Sequence, residues 1–206
     1  MESKARILNA AVQIFAEKGF HGARIENIGA EAGINKAMVY YYYSNKKNLF
    51  QEALNMIVGQ IYSEVDLGIH SEDSPVDNPE QTLEKFIRVH FSAFSKKKEW
   101  AKLYIDVLNN RPEYIRKAYL NAFASENIHE HTLLEKVFTA GVGKGIFRDL
   151  DFKQVFISIF GMNIIYFLAG PIAEIILNLN VQDEKAFLKE RENTIVDLVL
   201  HGLLKR

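Results

Sequence analysis

The chain contains no cysteine. That absence removes a disulfide framework, a thiolate nucleophile and any sulfur-ligated zinc site, and it fits a reducing compartment. The first residues, Met1-Glu2-Ser3-Lys4, carry none of the apolar run a secretory signal needs, so a cytoplasmic location is the expectation. No stretch alternates polar and apolar residues convincingly enough to read as a strand, and there is no internal repeat or low-complexity tract. Charge of one sign is missing too: 25 basic and 26 acidic residues leave a formal net charge of −1.

That near-zero total hides an asymmetry. Lys4, Arg6, Lys18, Arg24, Lys36, Lys46 and Lys47 oppose Glu2, Glu17, Glu26 and Glu31 in the first 48 residues, leaving +3, while the remainder carries −4. A basic head on an acidic body suits a domain that faces phosphates, because Lys and Arg supply the sequence-independent part of DNA affinity. With 206 residues, 48% of them apolar, the chain can bury a substantial core without a metal or a cross-link.

Apolar residues recur at helical spacing, from Ile7, Ala11, Ile14 and Phe15 to Ile195, Leu198, Val199, Gly202 and Leu203. The fold class read from this pattern is all-α. Breakers divide the chain at Gly19 and Gly22, Gly33, Ser44-Asn45, residues 68–79, Arg111-Pro112, residues 141–145, Gly170-Pro171 and residues 178–183. About nine helices result. The first three are short (about 4–18, 25–32 and 35–43), and those from residue 46 onward are longer and more apolar. This change of scale divides a domain of residues 1–46 from one of residues 47–206, with the helix of about 46–68 as a mechanical link.

Residues 25–43, IENIGAEAGINKAMVYYYY, meet the demands of a helix-turn-helix. Gly33 can take the positive φ of a tight turn, and Gly29 supplies a small residue where the helices approach. Ile25, Ile28, Ile34 and Val39 complete the apolar contacts, and Asn35 is a competent N-cap for the second helix. The first turn of that helix, Lys36, Ala37 and Met38, then faces the major groove. A plain helical hairpin would need the glycine, its small partner, the tyrosine run and the charge bias to coincide without cause.

Residues 7–20 (ILNAAVQIFAEKGF) and 25–50 (IENIGAEAGINKAMVYYYYSNKKNLF) resemble the signature of the TetR family of bacterial transcription regulators. The terminal IVDLVLHGLLK is similar to that family's last dimerisation helix. The resemblance implies a three-helix DNA-binding domain followed by a helical ligand-binding and dimerisation bundle. It also places Lys36, Tyr40, Tyr41, Tyr42 and Lys46 where phosphate or base contacts occur. Exposed phenols can donate to phosphate oxygens, and Lys46 at a helix start adds a cation to amides already suited to an anion. Arg24 replaces the small hydroxyl residue that usually caps the second helix, so the cap is lost although Arg can still reach phosphate. Gly29 stands where Ala is common, and Asn35, Ala37 and Met38 depart from the commoner Ser-x-Gly-Thr. These changes bear on operator sequence: Met38 and Ala37 offer apolar contact to thymine methyls, and Lys36 can read guanine.

Residues 83–168 are dense in aromatics, whose plain reading is core, and a cavity among them would take a small apolar or amphipathic molecule. The resemblance puts the pocket among the middle helices, with Trp100, Tyr104, Tyr119, Asn163 and Tyr166 as its expected lining. Asn163 must find a hydrogen-bond partner in so apolar a helix, and it could equally bond across a dimer. Residues 155–173 carry no charge and satisfy the crude transmembrane test, but Asn163, Gly161, Gly170 and Pro171 interrupt them. A helix apolar all round can instead be buried on every side, as in the four-helix dimer bundle the resemblance implies.

Other chemistry is not supported. Gly141-Val142-Gly143-Lys144-Gly145 resembles a phosphate loop, but Phe138 takes the place of its first glycine and Gly145 that of the Ser/Thr. His129-Glu130-His131 lacks zinc spacing, no nucleophile elbow is present, and Lys96-Lys97-Lys98 reads as a solvated helix end. The expectation is therefore a cytoplasmic homodimer, joined through its last two helices, that binds a pseudo-palindromic operator in double-stranded DNA. A small-molecule effector would release it, with no catalytic residue, cofactor or metal. The competing classes are a helical enzyme that processes a small molecule and a membrane-associated protein anchored by residues 155–173.

Overall fold

The structure, a computed structural model, describes residues 2–69, 74–124, 130–178 and 183–205. Among these the chain is all-α, with a single isolated bridge, Phe147 to Leu204, as its only β pairing. Ten helices follow in order: α1 (Glu2–Gly22), α2 (Ile25–Glu31), α3 (Lys36–Tyr43), α4 (Lys46–Ile69), α5 (Pro79–Ser95), α6 (Lys98–Asn110), α7 (Pro112–Ala124), α8 (Glu130–Gly143), α9 (Phe152–Ile176) and α10 (Glu184–Leu203). They form two compact units, one of residues 1–60 with 97–127 and the other of residues 61–96 with 128–206.

In the first unit α1 bends at Gly19, whose φ of 64° ends the regular helix where the sequence places its first breaker. Ile7, Ala11 and Phe15 of α1 are buried at helical spacing, and α1 packs on α2 and α6. Phe15 meets Phe50 of α4 edge to face at 4.8 Å, and Phe50 meets Tyr114 of α7 at 5.1 Å. Phe15 and Phe50, both fully buried, each contribute roughly 2–3 kcal/mol. Gln51 is buried beside them and donates through Nε2 to the Tyr114 carbonyl at 3.1 Å. The helices α6 and α7 are thus part of the body that carries the first three.

In the second unit α5 packs against α8, α9 and α10 around Ile87, Phe91, Phe138, Phe147, Ile159 and Ile195. Gly141 is required here, because a Cβ at this position would lie 2.1 Å from the ring of Phe147. Three charged residues tie the surface of this core: Arg88 reaches Glu84 at 2.8 Å and Glu192 at 2.9 Å.

Helix α9 departs from the sequence reading. Gly170-Pro171 reads as a break, yet the helix runs unbroken from Phe152 to Ile176. A proline removes one backbone hydrogen bond, and packing within the chain does not account for the continuation, because Ile172, Ile175 and Ile176 beyond it are exposed. The expected break at Arg111-Pro112 falls where α6 gives way to α7, whereas that at residues 141–145 comes late, since α8 runs through Gly143 and only 144–145 lie beyond it. Within residues 178–183, Asn178 takes a φ of 51° and Asp183 caps α10, while 179–182 lie outside the described residues. His129 also lies outside them.

Candidate functional site

The helix-turn-helix forms from a matched set of backbone bonds. At the end of α2, Ile34 N–H donates to the Gly29 carbonyl at 2.8 Å and Gly33 N–H to that of Ala30 at 3.1 Å. This paired closure needs a left-handed residue, which Gly33 supplies at φ 63°. Gly29 is needed for the close approach, since a Cβ there would stand 2.6 Å from the Ile34 carbonyl oxygen. Asn35 then caps α3, its Oδ1 accepting from Met38 N–H at 2.9 Å. The expected loss at the other helix is also visible: Arg24 precedes α2 with extended backbone and makes no side-chain cap.

These bonds turn one face of α3 inward and the other out. Val39 and Tyr43 are buried, whereas Lys36, Ala37, Met38, Tyr40 and Tyr41 are exposed, as are Arg24 and Asn35 nearby. Tyr41 is the most open of the tyrosines at 78%, and Tyr42 is half-buried. Tyr40 and Tyr43 share a side of the helix by spacing but not an environment. The Tyr43 hydroxyl donates to the Lys4 carbonyl at 3.2 Å, and burial pushes its pKa up to about 12. Of the four phenols, Tyr43 is therefore structural.

Two lysines at this surface are already engaged. Lys36 forms an ion pair with Glu26 of α2; their hydrogen bond holds the carboxyl below its ordinary range and the ammonium above its own. Lys46 donates to the His21 carbonyl at 3.2 Å and lies 4.9 Å from the Phe20 ring centroid, and partial burial lowers its pKa. Glu26 was not singled out in the sequence, although its place in the first turn of α2 was visible. A polar cavity of about 610 Å³ opens beside these residues, with Lys4, Tyr42, Ser44, Asn48 and Lys117 on its wall.

The expected effector residues fall in both units. In the first, Trp100 and Tyr104 are buried, and the hydroxyls of Tyr104 and Tyr119 share a hydrogen bond of 2.6 Å. In the second, Tyr166 stacks near Phe187 at 5.2 Å. Asn163 is fully buried within its own chain, so it presents no surface to a dimer partner. Its Nδ2 donates to the Ile87 carbonyl at 3.3 Å and to His90 Nδ1 at 2.9 Å. The sequence reading missed His90. Its signal was present, four residues from Phe86 and four from Phe94 on the apolar face of α5.

On α9 and α10 a further surface stands open. Ile157, Gly161, Ile165, Leu168 and Ile172 fall on one stripe of α9 and are exposed, and Leu198 and Gly202 are exposed on α10. Between the helices runs a largely apolar groove of about 440 Å³ lined by Val155, Ile159, Met162, Leu198 and Leu203. Residues 152–170 are long and apolar enough to cross a membrane, and about a fifth of that window is buried within the chain.

The sequence matches two family descriptions: "Bacterial regulatory proteins, tetR family" over residues 7–53 and "Tetracyclin repressor-like, C-terminal domain" over residues 79–199. The chain belongs to the TetR family of bacterial regulatory proteins. It is 30% identical over 149 residues to the transcriptional repressor NicS of Pseudomonas putida, covering 71% of this chain and 66% of that one. It is 26% identical over 200 residues to the regulator YerO of Bacillus subtilis, covering 95% of this chain and 65% of that one. The matched part thus spans about two thirds of the length of these relatives. Among solved structures, the fold resembles the regulator FadR of Bacillus subtilis in complex with stearoyl-CoA, at a TM-score of 0.71 and 21% identity over 96% of this chain and 98% of that one. It also resembles the ketosteroid regulator KstR2 of Mycobacterium tuberculosis, at 0.69 and 19% over 98% and 95%.

Proposed function

We propose that the protein is a ligand-responsive DNA-binding transcription regulator, a repressor released from its operator by a small apolar or amphipathic molecule. The observation that carries this reading is the first turn of α3: Lys36, Ala37 and Met38 stand exposed on a helix whose opposite side is buried. A helix presented in this way enters the major groove by its N-terminal residues. Arg24, Asn35, Tyr40, Tyr41, Tyr42 and Lys46 flank it as phosphate or base contacts. DNA reading is assigned to residues 1–46, and effector binding and dimerisation to residues 47–206.

A second copy of the chain is the partner we assign to the α9 and α10 stripe. Pairing buries the uncharged residues of α9 that one chain leaves open, and it yields two recognition helices for a pseudo-palindromic site. The effector favours a conformer with the wrong helix spacing, so effector and operator oppose each other reciprocally.

The test is titration of the purified protein onto a DNA fragment from its own promoter at several salt concentrations. Binding that weakens steeply with salt is expected, and salt-insensitive or absent binding overturns the reading. Lys46→Ala should lower the salt slope by about one unit without changing sequence preference. Recovery of the expressed protein in the membrane fraction, with no DNA binding, would favour the anchored reading of residues 155–173 instead.

A further inference from the structure

The interior of the second unit holds one polar feature that the fold does not use up. Asn163 of α9 has no exposed surface, and its Oδ1 has no hydrogen-bond partner. The orientation of the amide is fixed by its neighbour: Nδ2 lies 3.3 Å from the Ile87 carbonyl, where an oxygen would meet an oxygen. The same Nδ2 donates to His90 Nδ1 at 2.9 Å, so Nδ1 must be the unprotonated nitrogen and the ring proton resides on Nε2. Asn163 therefore presents a buried acceptor without a donor, and His90 fixes its orientation with the Nε2–H directed to the far side of the ring.

The surroundings of this pair are aromatic. The His90 ring lies 5.6 Å from Phe86, 5.4 Å from Phe94 and 5.1 Å from Phe160, measured between centroids. Phe156 and Phe160 of α9 are half-buried beside it rather than sealed. A buried amide oxygen left without a donor costs about 1–3 kcal/mol, and a chain that needed only a core would fill the position with Leu. Burial keeps the imidazole uncharged, lowering its pKa to about 4. The rings around the pair are apolar, and the guanidinium of Arg191 is engaged on the Met162 carbonyl at 3.2 Å.

We propose that Asn163, oriented by His90, forms the polar end of the effector site, and that the effector offers its Oδ1 an uncharged hydroxyl on an otherwise apolar body. The hydroxyl hydrogen donates to Asn163 Oδ1, while His90 holds that amide in place by accepting from its Nδ2. A carboxylate brings negative charge against an amide oxygen and is rejected; a bare hydrocarbon leaves Oδ1 unpaired. The inference rests on the effector-responsive reading above and adds to it the chemistry of the molecule recognised.

The test uses the full chain and two matched sets of probes, 2-naphthol with 2-naphthoate and naphthalene, and 1-decanol with decanoate, measured by calorimetric titration. In at least one set the hydroxyl probe should bind tenfold or more tighter than its counterparts. Asn163→Leu should bring the members of that set to within about twofold of one another. In the unaltered protein the hydroxyl probe should also shift the Asn163 side-chain amide and His90 ring resonances, a readout that survives if the variant fails to fold. Carboxylate preference, a hydroxyl preference retained in Asn163→Leu, or binding by neither hydroxyl probe overturns the inference. Promoter-fragment binding on the same preparation separates the two readings. DNA binding without hydroxyl binding removes this inference alone, and hydroxyl binding without DNA binding removes the regulatory one.

Discussion

Lys36 is the residue through which the DNA-facing helix is best interrogated, because it is held before DNA arrives. Its ion pair with Glu26 is exposed on both sides, a kind of pair worth little in itself, yet each contact to a base or phosphate must displace it. Glu26→Gln removes the competitor. We expect this variant to bind the promoter fragment more tightly, with a steeper salt slope, in a fluorescence-anisotropy titration; equal affinity would show that the pair gives way at no cost. His90 supports a second expectation. Its folded pKa, about 4, lies below the ordinary value of about 6.5, so the unfolded chain takes up the proton first as pH falls. The stabilisation is full above pH 6.5, declines between 6.5 and 4, and amounts to on the order of 3 kcal/mol when lost. Denaturant melts across that window should flatten in His90→Phe relative to the unaltered chain. At this scale the sequence was informative wherever spacing alone decides. Gly33, Gly29 and Asn35 do what their positions implied, whereas the Lys36 to Glu26 pair and the Asn163 to His90 bond join residues 10 and 73 apart, which no local pattern reveals.

Elements were legible in proportion to how local their causes are. The caps and turns of α2 and α3 follow from single residues, and their ends fall within a residue or so of expectation. Asn35→Ala should therefore cost about 1 kcal/mol in a thermal melt and Asn35→Ser much less, because serine also accepts from the third residue of the helix. An Ala variant as stable as the parent would mean that water satisfies Met38 N–H equally well. Helix α9 shows the opposite case. Gly170-Pro171 has the local chemistry of a break, yet the helix continues through it although Ile172, Ile175 and Ile176 beyond it are exposed. The membership of α6 and α7 in the body that carries α1 to α3 was equally hidden, since it depends on contacts such as Phe50 to Tyr114 across 64 positions.

For the whole molecule, the surface we propose to pair with a second copy is the stripe of α9 with the exposed turn of α10. Replacing Ile165 by Glu places a charge in the middle of that stripe without touching the buried face that holds Asn163. The variant should sediment as a monomer where the parent sediments as a dimer, and should lose operator binding by an order of magnitude or more. A dimeric Ile165→Glu would move the contact elsewhere. The proposed pairing also bears on the chain's fate during synthesis. Until two copies meet, each displays isoleucines in a row along several helical turns, the kind of surface that chaperones hold and aggregates grow from. Supply of the protein is then self-limiting at low output: scarce chains wait longest for a partner and are the most exposed to degradation, so the cellular level should respond to gene dosage more steeply than in proportion.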